Sequence, residues 1–180
     1  MAVEKRDMVV DVKSADETYS ENHKIWILGD SHVRNLHNSL WQTSVTCIGG
    51  GRLQHVQMNL RCYRSLRQYE VLCLLIGGNN LSRHKNGYRM YEDVERLVRW
   101  IAFRFSNLQI VTGSFIPRGE KGFMGASMFV NRKIEQASSR HHHFYHKMFL
   151  RRGSKRSWEI QEDYFCRDRM HLKSESYGKI

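Results

Sequence analysis

The stretch Ile25-Trp26-Ile27-Leu28-Gly29-Asp30-Ser31 decides the fold class of this chain. Four consecutive apolar residues followed by Gly and Asp predict a short buried strand that ends just before the serine. A helix is predicted at about 31–40, and a second strand at 45–48 that is ended by three glycines. A strand, a helix and a second strand in this order predict the beginning of a βαβ unit.

The same alternation of strands and helices continues along the rest of the chain. Its clearest helix is 88–105, where apolar residues recur every three or four positions, as in a helix that packs on a sheet. Further helices are predicted at 53–66 and 126–138, further strands at 71–76, 108–116 and 144–150, a surface loop at 118–125, a basic turn at 151–156, and a terminal helix or loop at 170–180. Helices between short apolar strands predict an α/β fold with a mostly parallel sheet covered on both faces.

Length and composition indicate one domain. The chain has 180 residues, of which 41% are hydrophobic, which suits one core and is too short for two ordinary domains. Residues 1–23 are polar and acidic without a sustained period, so we expect a flexible leader there and the folded domain at 24–180. No apolar run approaches the ~20 residues of a transmembrane helix, and no signal peptide is visible. Four cysteines without a CxxC pair fit a reducing compartment, so we expect an intracellular protein, cytoplasmic or nuclear.

The net charge is strongly positive and unevenly distributed. The chain carries +11, but residues 1–23 hold six acidic and three basic residues, which leaves +14 on the remainder. Such a field favours an anionic partner, which could be RNA, an acidic membrane surface or an anionic substrate, and charge alone does not choose among them. The segment with the densest charge predicts contact with nucleic-acid or lipid phosphates through Arg151, Arg152, Lys155 and Arg156.

Small or polar residues follow the first three apolar strands, at the edge where parallel sheets bind ligands. The strand ends read Gly29-Asp30-Ser31-His32, Gly49-Gly50-Gly51 and Gly77-Gly78-Asn79-Asn80, and a fourth motif near the C-terminus reads Asp168-Arg169-Met170-His171. Together they contain the groups that acyl transfer needs. Ser31 is the candidate nucleophile, His171 the base that takes its proton, and Asp168 the carboxylate that orients the imidazole. The candidate oxyanion hole consists of the backbone N–H groups of Ser31 and Gly50 and the side-chain amide of Asn79.

Each of these residues also has a simpler structural interpretation. Ser31 and Asn79 could cap the segments that follow them, and Asp168 and His171 could form an ordinary surface pair. Gly51 competes with Gly50 for the place in the oxyanion hole. Four arginines close to the motifs suggest an anionic substrate, although at this Arg and Lys content basic neighbours are expected by chance: Arg34, Arg52, Arg83 and Arg169. The histidines at 141–143 and 146 suggest a metal site, but adjacent side chains of a strand point apart, so we expect a surface cluster and no metal.

The four motifs resemble, in order, the conserved blocks of the SGNH (GDSL) hydrolases. The matching runs are Ile27-Leu28-Gly29-Asp30-Ser31, Ile48-Gly49-Gly50, Ile76-Gly77-Gly78-Asn79-Asn80-Leu81 and Asp168-Arg169-Met170-His171-Leu172. The resemblance covers 24–180. It implies a flavodoxin-like three-layer α/β/α sandwich with a shallow active site, and hydrolysis of esters or acetyl groups without a metal or other cofactor. The run 24–34 is also similar to the esterase-like domains that some retrotransposons encode.

Two residues depart from the pattern of that family. Asn80 stands where an aspartate is usual, which removes a carboxylate that normally supports the local loop, and Arg169 stands at a position commonly held by glycine. Some SGNH-like domains have abandoned catalysis and bind RNA, and the basic core suits that role. The sequence therefore predicts a serine esterase acting on short acyl or acetyl esters, and the alternative is a basic RNA-binding module.

Overall fold

The centre of the molecule is a five-stranded parallel sheet. The computed structural model describes residues 24–36, 43–137, 142–144, 150–152, 158–173 and 175–176. The strands are β1 (Ile25–Gly29), β2 (Thr43–Cys47), β3 (Val71–Leu75), β4 (Gln109–Gly113) and β5 (His142–Phe144), in the order β2-β1-β3-β4-β5. Each neighbouring pair is parallel. This is the flavodoxin-like order, with its switch point between β1 and β3.

Helices and a small second sheet surround this sheet. A short 3₁₀ helix, Ser31–Leu36, follows β1 directly. The α-helices are α1 (Leu53–Arg61), α2 (Gly78–His84), α3 (Gly87–Arg104) and α4 (Phe123–Gln136). In the C-terminal part, β6 (Leu150–Arg152) pairs antiparallel with β7 (Trp158–Ile160), and the 3₁₀ turn Glu162–Tyr164 follows. No helix in the described ranges is long and apolar enough to cross a membrane.

Alternate residues of the strands face two separate cores. On one face, Trp26 and Leu28 of β1 pack with the apolar stripes of α1 and α3 in the larger cluster. On the other, Ile27 packs with the 3₁₀ helix after β1 and with the C-terminal residues Phe165 and Leu172. Because successive side chains of a strand point to opposite faces, one apolar run supplies both cores. The predicted three-layer α/β/α sandwich is confirmed.

The structure describes three of the predicted local elements only in part. The helix predicted at about 31–40 is a 3₁₀ helix over Ser31–Leu36, and residues 37–40 lie outside the description. Of the strand predicted at 144–150, the structure describes only its two ends: Phe144 is the last residue of β5 and Leu150 the first residue of β6, and residues 145–149 lie outside the description. The strand β5 is defined by its pairing with β4, in which Val111 lies opposite His142. The hydropathy of residues 142–144 does not reveal this pairing. The predicted basic turn begins inside β6, which includes Arg151 and Arg152.

Some predictions concern parts of the chain outside the described residues. These are the leader at 1–23, the residues Lys155 and Arg156, and two of the clustered histidines, His141 and His146. The side chains of Arg151 and Arg152 also lie outside the description, which covers their backbone only.

Candidate active site

The carboxyl ends of β1, β2 and β3 meet at one edge of the sheet. The register places Gly29 of β1 opposite Cys47 of β2 and Leu75 of β3. Just beyond the strands, the N–H of Asp30 donates to the carbonyl of Leu75 (3.2 Å), and the N–H of Ile48 donates to that of Gly29 (2.8 Å). The first three sequence motifs therefore begin side by side, as parallel pairing predicts.

Ser31 lies in a tight turn between β1 and the 3₁₀ helix. The Asp30 carboxylate accepts the N–H of His32 (3.1 Å), and the Asp30 carbonyl accepts the N–H of Val33 (3.1 Å). A Cβ at Gly29 would lie 2.6 Å from the Leu75 carbonyl oxygen and would also overlap the Val33 side chain, so only glycine permits this turn. The half-buried Ser31 is thereby held at the rim of the sheet.

The second motif distinguishes Gly50 from Gly51. The N–H of Gly51 donates to the carbonyl of Ile48 (2.8 Å), and a Cβ on Gly51 would lie 2.7 Å from that same oxygen. Gly50 has a left-handed φ of +63°, and a Cβ there would meet nothing within 4 Å. Among the residues that the structure describes, the N–H of Gly50 has no backbone acceptor. Of the two glycines, Gly50 is thus the one with an N–H available to a ligand.

Asn79 and Asn80 connect the third motif to the second. Asn79, in the first turn of α2, donates from Nδ2 to the carbonyl of Gly51 (3.0 Å), which leaves its second amide hydrogen. The side-chain oxygen of Asn80 accepts the N–H of Leu53 at the beginning of α1 (3.0 Å). An amide oxygen suffices for that contact, so Asn80 links these two loops without the carboxylate that usually stands at its position.

Asp168 and His171 form a tight pair. Nδ1 of His171 lies 2.7 Å from Oδ2 of Asp168. The other carboxylate oxygen accepts the backbone N–H groups of Met170 (2.9 Å) and His171 (3.0 Å). The side-chain hydrogen bond with His171, followed by these two backbone bonds, holds the pKa of Asp168 well below its usual range. Asp168 is therefore ionised at neutral pH. Its hydrogen bond with Nδ1 fixes the orientation of the His171 ring.

The fold brings this pair to the end of β1. The imidazole rings of His171 and His32, the residue after Ser31, have centroids 6.0 Å apart. The backbone carbonyl of His171 accepts the N–H of Cys166 (2.8 Å), which closes the loop between them. Arg169 within that loop has φ +55°, the left-handed conformation that its glycine-like position in the sequence suggests. Its guanidinium pairs with Glu162 (2.8 Å).

Arg118 is a buried residue of this site that sequence reasoning missed. It was expected in a surface loop, yet only 5% of it is exposed, and α4 begins at Phe123 inside that same segment. Its Nη1 donates to Oγ of Ser82 (3.0 Å) and, at 3.5 Å, to Oδ1 of Asn79. A Cβ on Gly78 would lie 2.7 Å from its Nη2, so glycine there admits the guanidinium. The available signal was its position in the segment that follows β4, which leaves the sheet at the same edge as the other motifs.

A cavity of about 20 Å³ lies beside these groups, and buried polar side chains contribute to its wall: Asp30, His32, Ser114 and Arg118. Burial raises the pKa of Asp30 to about 6, opposed by the N–H of His32 and by the charges of Arg118 and His171. Burial, with the nearby Arg118 and His171, lowers the pKa of His32 to about 3. At neutral pH, Asp30 is mostly ionised and His32 is neutral. The described residues contain no group of three or more His, Cys, Asp or Glu side chains arranged to hold a metal ion.

Solved structures to which this chain is similar include lipases and esterases. No protein-family model and no curated protein matches the sequence. The chain is similar to a GDSL-like lipase from Bacteroides thetaiotaomicron, with a TM-score of 0.71, 13% identity and coverage of 88% of this chain and 83% of that one. It is similar to a member of the lipolytic protein G-D-S-L family from Veillonella parvula (TM-score 0.63, 13% identity, coverage 86% and 92%).

An esterase from a Pseudoalteromonas species gives a TM-score of 0.56 at 14% identity, with coverage of 87% and 91%. The esterase domain of a zebrafish retrotransposon ORF1 protein gives a TM-score of only 0.41 at 15% identity, which supports no conclusion about a subfamily. Likeness at this level of identity establishes the architecture and leaves activity to the site itself. This chain therefore has the fold of the SGNH/GDSL hydrolases.

Proposed function

We propose that this protein is a serine hydrolase that cleaves short acyl or acetyl esters. The observation that carries the proposal is the 2.7 Å contact between His171 Nδ1 and Asp168 Oδ2, in a pair that lies at the end of β1 beside the Ser31 turn. A serine hydroxyl needs a base to remove its proton, and an imidazole oriented by a carboxylate supplies one.

The reaction proceeds in two stages, the acylation of Ser31 and the hydrolysis of the acyl-enzyme. His171 takes the hydroxyl proton as the Ser31 oxygen attacks the ester carbonyl, and Asp168 stabilises the imidazolium that forms. His171 then gives that proton to the leaving alcohol oxygen as the carbon–oxygen bond of the ester breaks, which leaves an acyl group on Ser31. Water, deprotonated by His171, then attacks the acyl carbon. The bond between that carbon and the Ser31 oxygen breaks as His171 returns the proton to the Ser31 oxygen, which releases the carboxylic acid and restores the free enzyme. No step requires a metal or other cofactor.

The oxyanion of each tetrahedral intermediate needs hydrogen-bond donors. Those available are the N–H groups of Ser31 and Gly50 and the second amide hydrogen of Asn79. The turn bond of Gly51 to Ile48 favours Gly50 over its neighbour. The contact of Arg118 with the amide oxygen of Asn79 aims Nδ2 away from Arg118, so Arg118 is a positioning residue for this donor.

The alternative, a basic RNA-binding module, has less support. Its strongest candidate surface is the segment 151–156, whose side chains lie outside the described residues. A domain that only binds RNA has no use for a carboxylate–imidazole pair beside a serine.

Hydrolysis of p-nitrophenyl acetate tests the proposal. We expect turnover by the wild type, none by Ser31→Ala or His171→Ala, and a smaller loss in Asp168→Ala, because that residue acts through His171. Ser106→Ala, which removes an exposed hydroxyl elsewhere, is the matched control and should retain full activity. A fluorophosphonate probe should label Ser31. Equal activity of the wild type and Ser31→Ala would refute the proposal.

A further inference from the structure

A second, larger pocket adjoins the candidate active site. Its volume is about 470 Å³, and it lies where the beginning of α1, the end of α2 and the first turns of α3 converge. Its polar wall includes Arg52, Asn80, Arg83, His84, Arg89 and Asp93. We propose that this pocket binds a phosphate group carried by the ester substrate, an inference that rests on the hydrolase activity proposed above.

The charges of the pocket favour an anionic ligand. Three arginines converge on it, and in the part of the chain that the structure describes none of the three forms an ion pair with a carboxylate. Asp93, the one acidic residue of the wall, is engaged by Arg96 at 3.4 Å. Three positive charges and one negative charge leave +2, which matches the charge of about −1.5 to −2 on a phosphate monoester. Like charges brought together repel unless a counter-ion joins them.

The unpartnered polar atoms of the pocket are hydrogen-bond donors. Nε of Arg52 and Nε2 of His84 are buried without a partner. Nδ1 of His84 accepts the N–H of Asn86 (3.3 Å), so a neutral ring carries its hydrogen on Nε2. Burial, then the charge of Arg89, lowers the pKa of His84, which keeps the ring neutral. The Nε–H of Arg52, the Nε2–H of His84 and the guanidinium groups of Arg83 and Arg89 are all hydrogen-bond donors. A ligand with several acceptor oxygens, such as phosphate, can bind to such a set.

The position of the pocket connects it with the ester bond. Arg52 follows Gly50 by two residues, and Asn80 is the neighbour of Asn79. The hydrogen bond from Leu53 N–H to Asn80 Oδ1 joins these two loops (3.0 Å), so the wall of the pocket continues directly from the oxyanion donors. This adjacency points to an ester that carries its phosphate close to the carbonyl group.

Two measurements test this inference. The first is binding of inorganic phosphate to the whole protein by calorimetry, in the wild type and in Arg83→Gln and Arg89→Gln. The second compares kcat/KM for 4-acetoxyphenyl phosphate with that for the neutral 4-methoxyphenyl acetate. Arg61→Gln is the matched control, because it removes an exposed arginine at the opposite end of α1.

We expect each pocket variant to raise the dissociation constant for phosphate about ten- to a hundredfold, the usual loss for a hydrogen bond to a charged group. The preference for the phosphate-bearing ester over the neutral one should fall by a similar factor in the pocket variants and stay at the wild-type value in Arg61→Gln. Phosphate binding without this preference would mean a site for free phosphate and would overturn the substrate assignment. Neutral-ester turnover without phosphate binding would overturn the pocket and leave the hydrolase standing. Phosphate binding without turnover of either ester would refute the hydrolase, and with it the assignment of the phosphate to an ester substrate, and would leave a pocket for free phosphate only.

Discussion

Asp30 and His32, the two buried titratable residues next to Ser31, change the free energy of unfolding in opposite directions as the pH falls. Burial lowers the pKa of His32 from 6.5 to about 3. Below pH 6.5 this imidazole therefore binds a proton in the unfolded chain and stays neutral in the folded chain. Stability is therefore lost as the pH falls. Between pH 7 and pH 5, linkage gives a loss of about 2 kcal/mol from this residue.

Asp30 acts in the other direction. Burial raises its pKa from 3.8 to about 6, so between these values the folded chain holds a proton that the unfolded chain has released. Its contribution to stability is complete below pH 3.8 and is lost as the pH rises through 6. Between pH 7 and pH 5 the gain is about 1 kcal/mol. In the wild type the two residues thus largely cancel, with a net loss of about 1 kcal/mol or less over this interval.

Replacing either residue exposes the effect of the other. His32→Leu should gain about 1 kcal/mol from Asp30 when the pH is lowered from 7 to 5, and Asp30→Asn should lose about 2 kcal/mol from His32. Leucine removes no hydrogen bond of Nδ1 of His32, because that atom has no partner among the described residues. Asparagine at position 30 keeps an acceptor for the backbone N–H of residue 32.

Urea denaturation at pH 5 and pH 7, followed by tryptophan fluorescence, measures these free energies of unfolding. The remaining titratable groups are common to the three proteins and cancel when each variant is compared with the wild type. Wild-type pH dependence in His32→Leu would refute the assignment of a neutral, buried imidazole beside the nucleophile.

Two further variants test how the site is supported. Arg118→Met should lower kcat for p-nitrophenyl acetate at least tenfold. Asn79→Ala alone should lower kcat by about 10²–10³, because it removes an oxyanion donor. In the Asn79→Ala background, Arg118→Met should have a much smaller effect, because the amide that Arg118 orients is gone. A double-mutant cycle measures this difference, and simple additivity would contradict the positioning role. Arg169→Gly and Arg169→Ala both lose the exposed ion pair with Glu162, but only glycine relieves the φ of +55°. The glycine variant should be the more stable in urea by about 1 kcal/mol, and the reverse order would show that the left-handed backbone is not strained.

The sequence alone was sufficient for the architecture and for placing the first three motifs at one edge of the sheet. Short apolar strands with helices between them identify a parallel α/β sheet, and parallel strands end at one edge. Residues that directly follow the strands, such as Ser31 and Asn79, could therefore be placed together without coordinates. The sequence also identified Arg169 as standing at a position commonly held by glycine, and the structure gives that residue a left-handed backbone.

Only the tertiary structure decided which polar residues are buried and which partners they have. In the sequence, Arg118 has the character of a loop residue, and the histidines of β5 show no apolar pattern. Hydropathy describes the preference of each residue by itself and does not report which group pairs with it in the folded chain. The burial of His32 and Asp30 and the convergence of Arg52, Arg83 and Arg89 likewise depend on segments far apart in the chain. Periodicity along the sequence reports which face of an element is apolar, whereas the state of a polar group depends on what the folded chain places beside it.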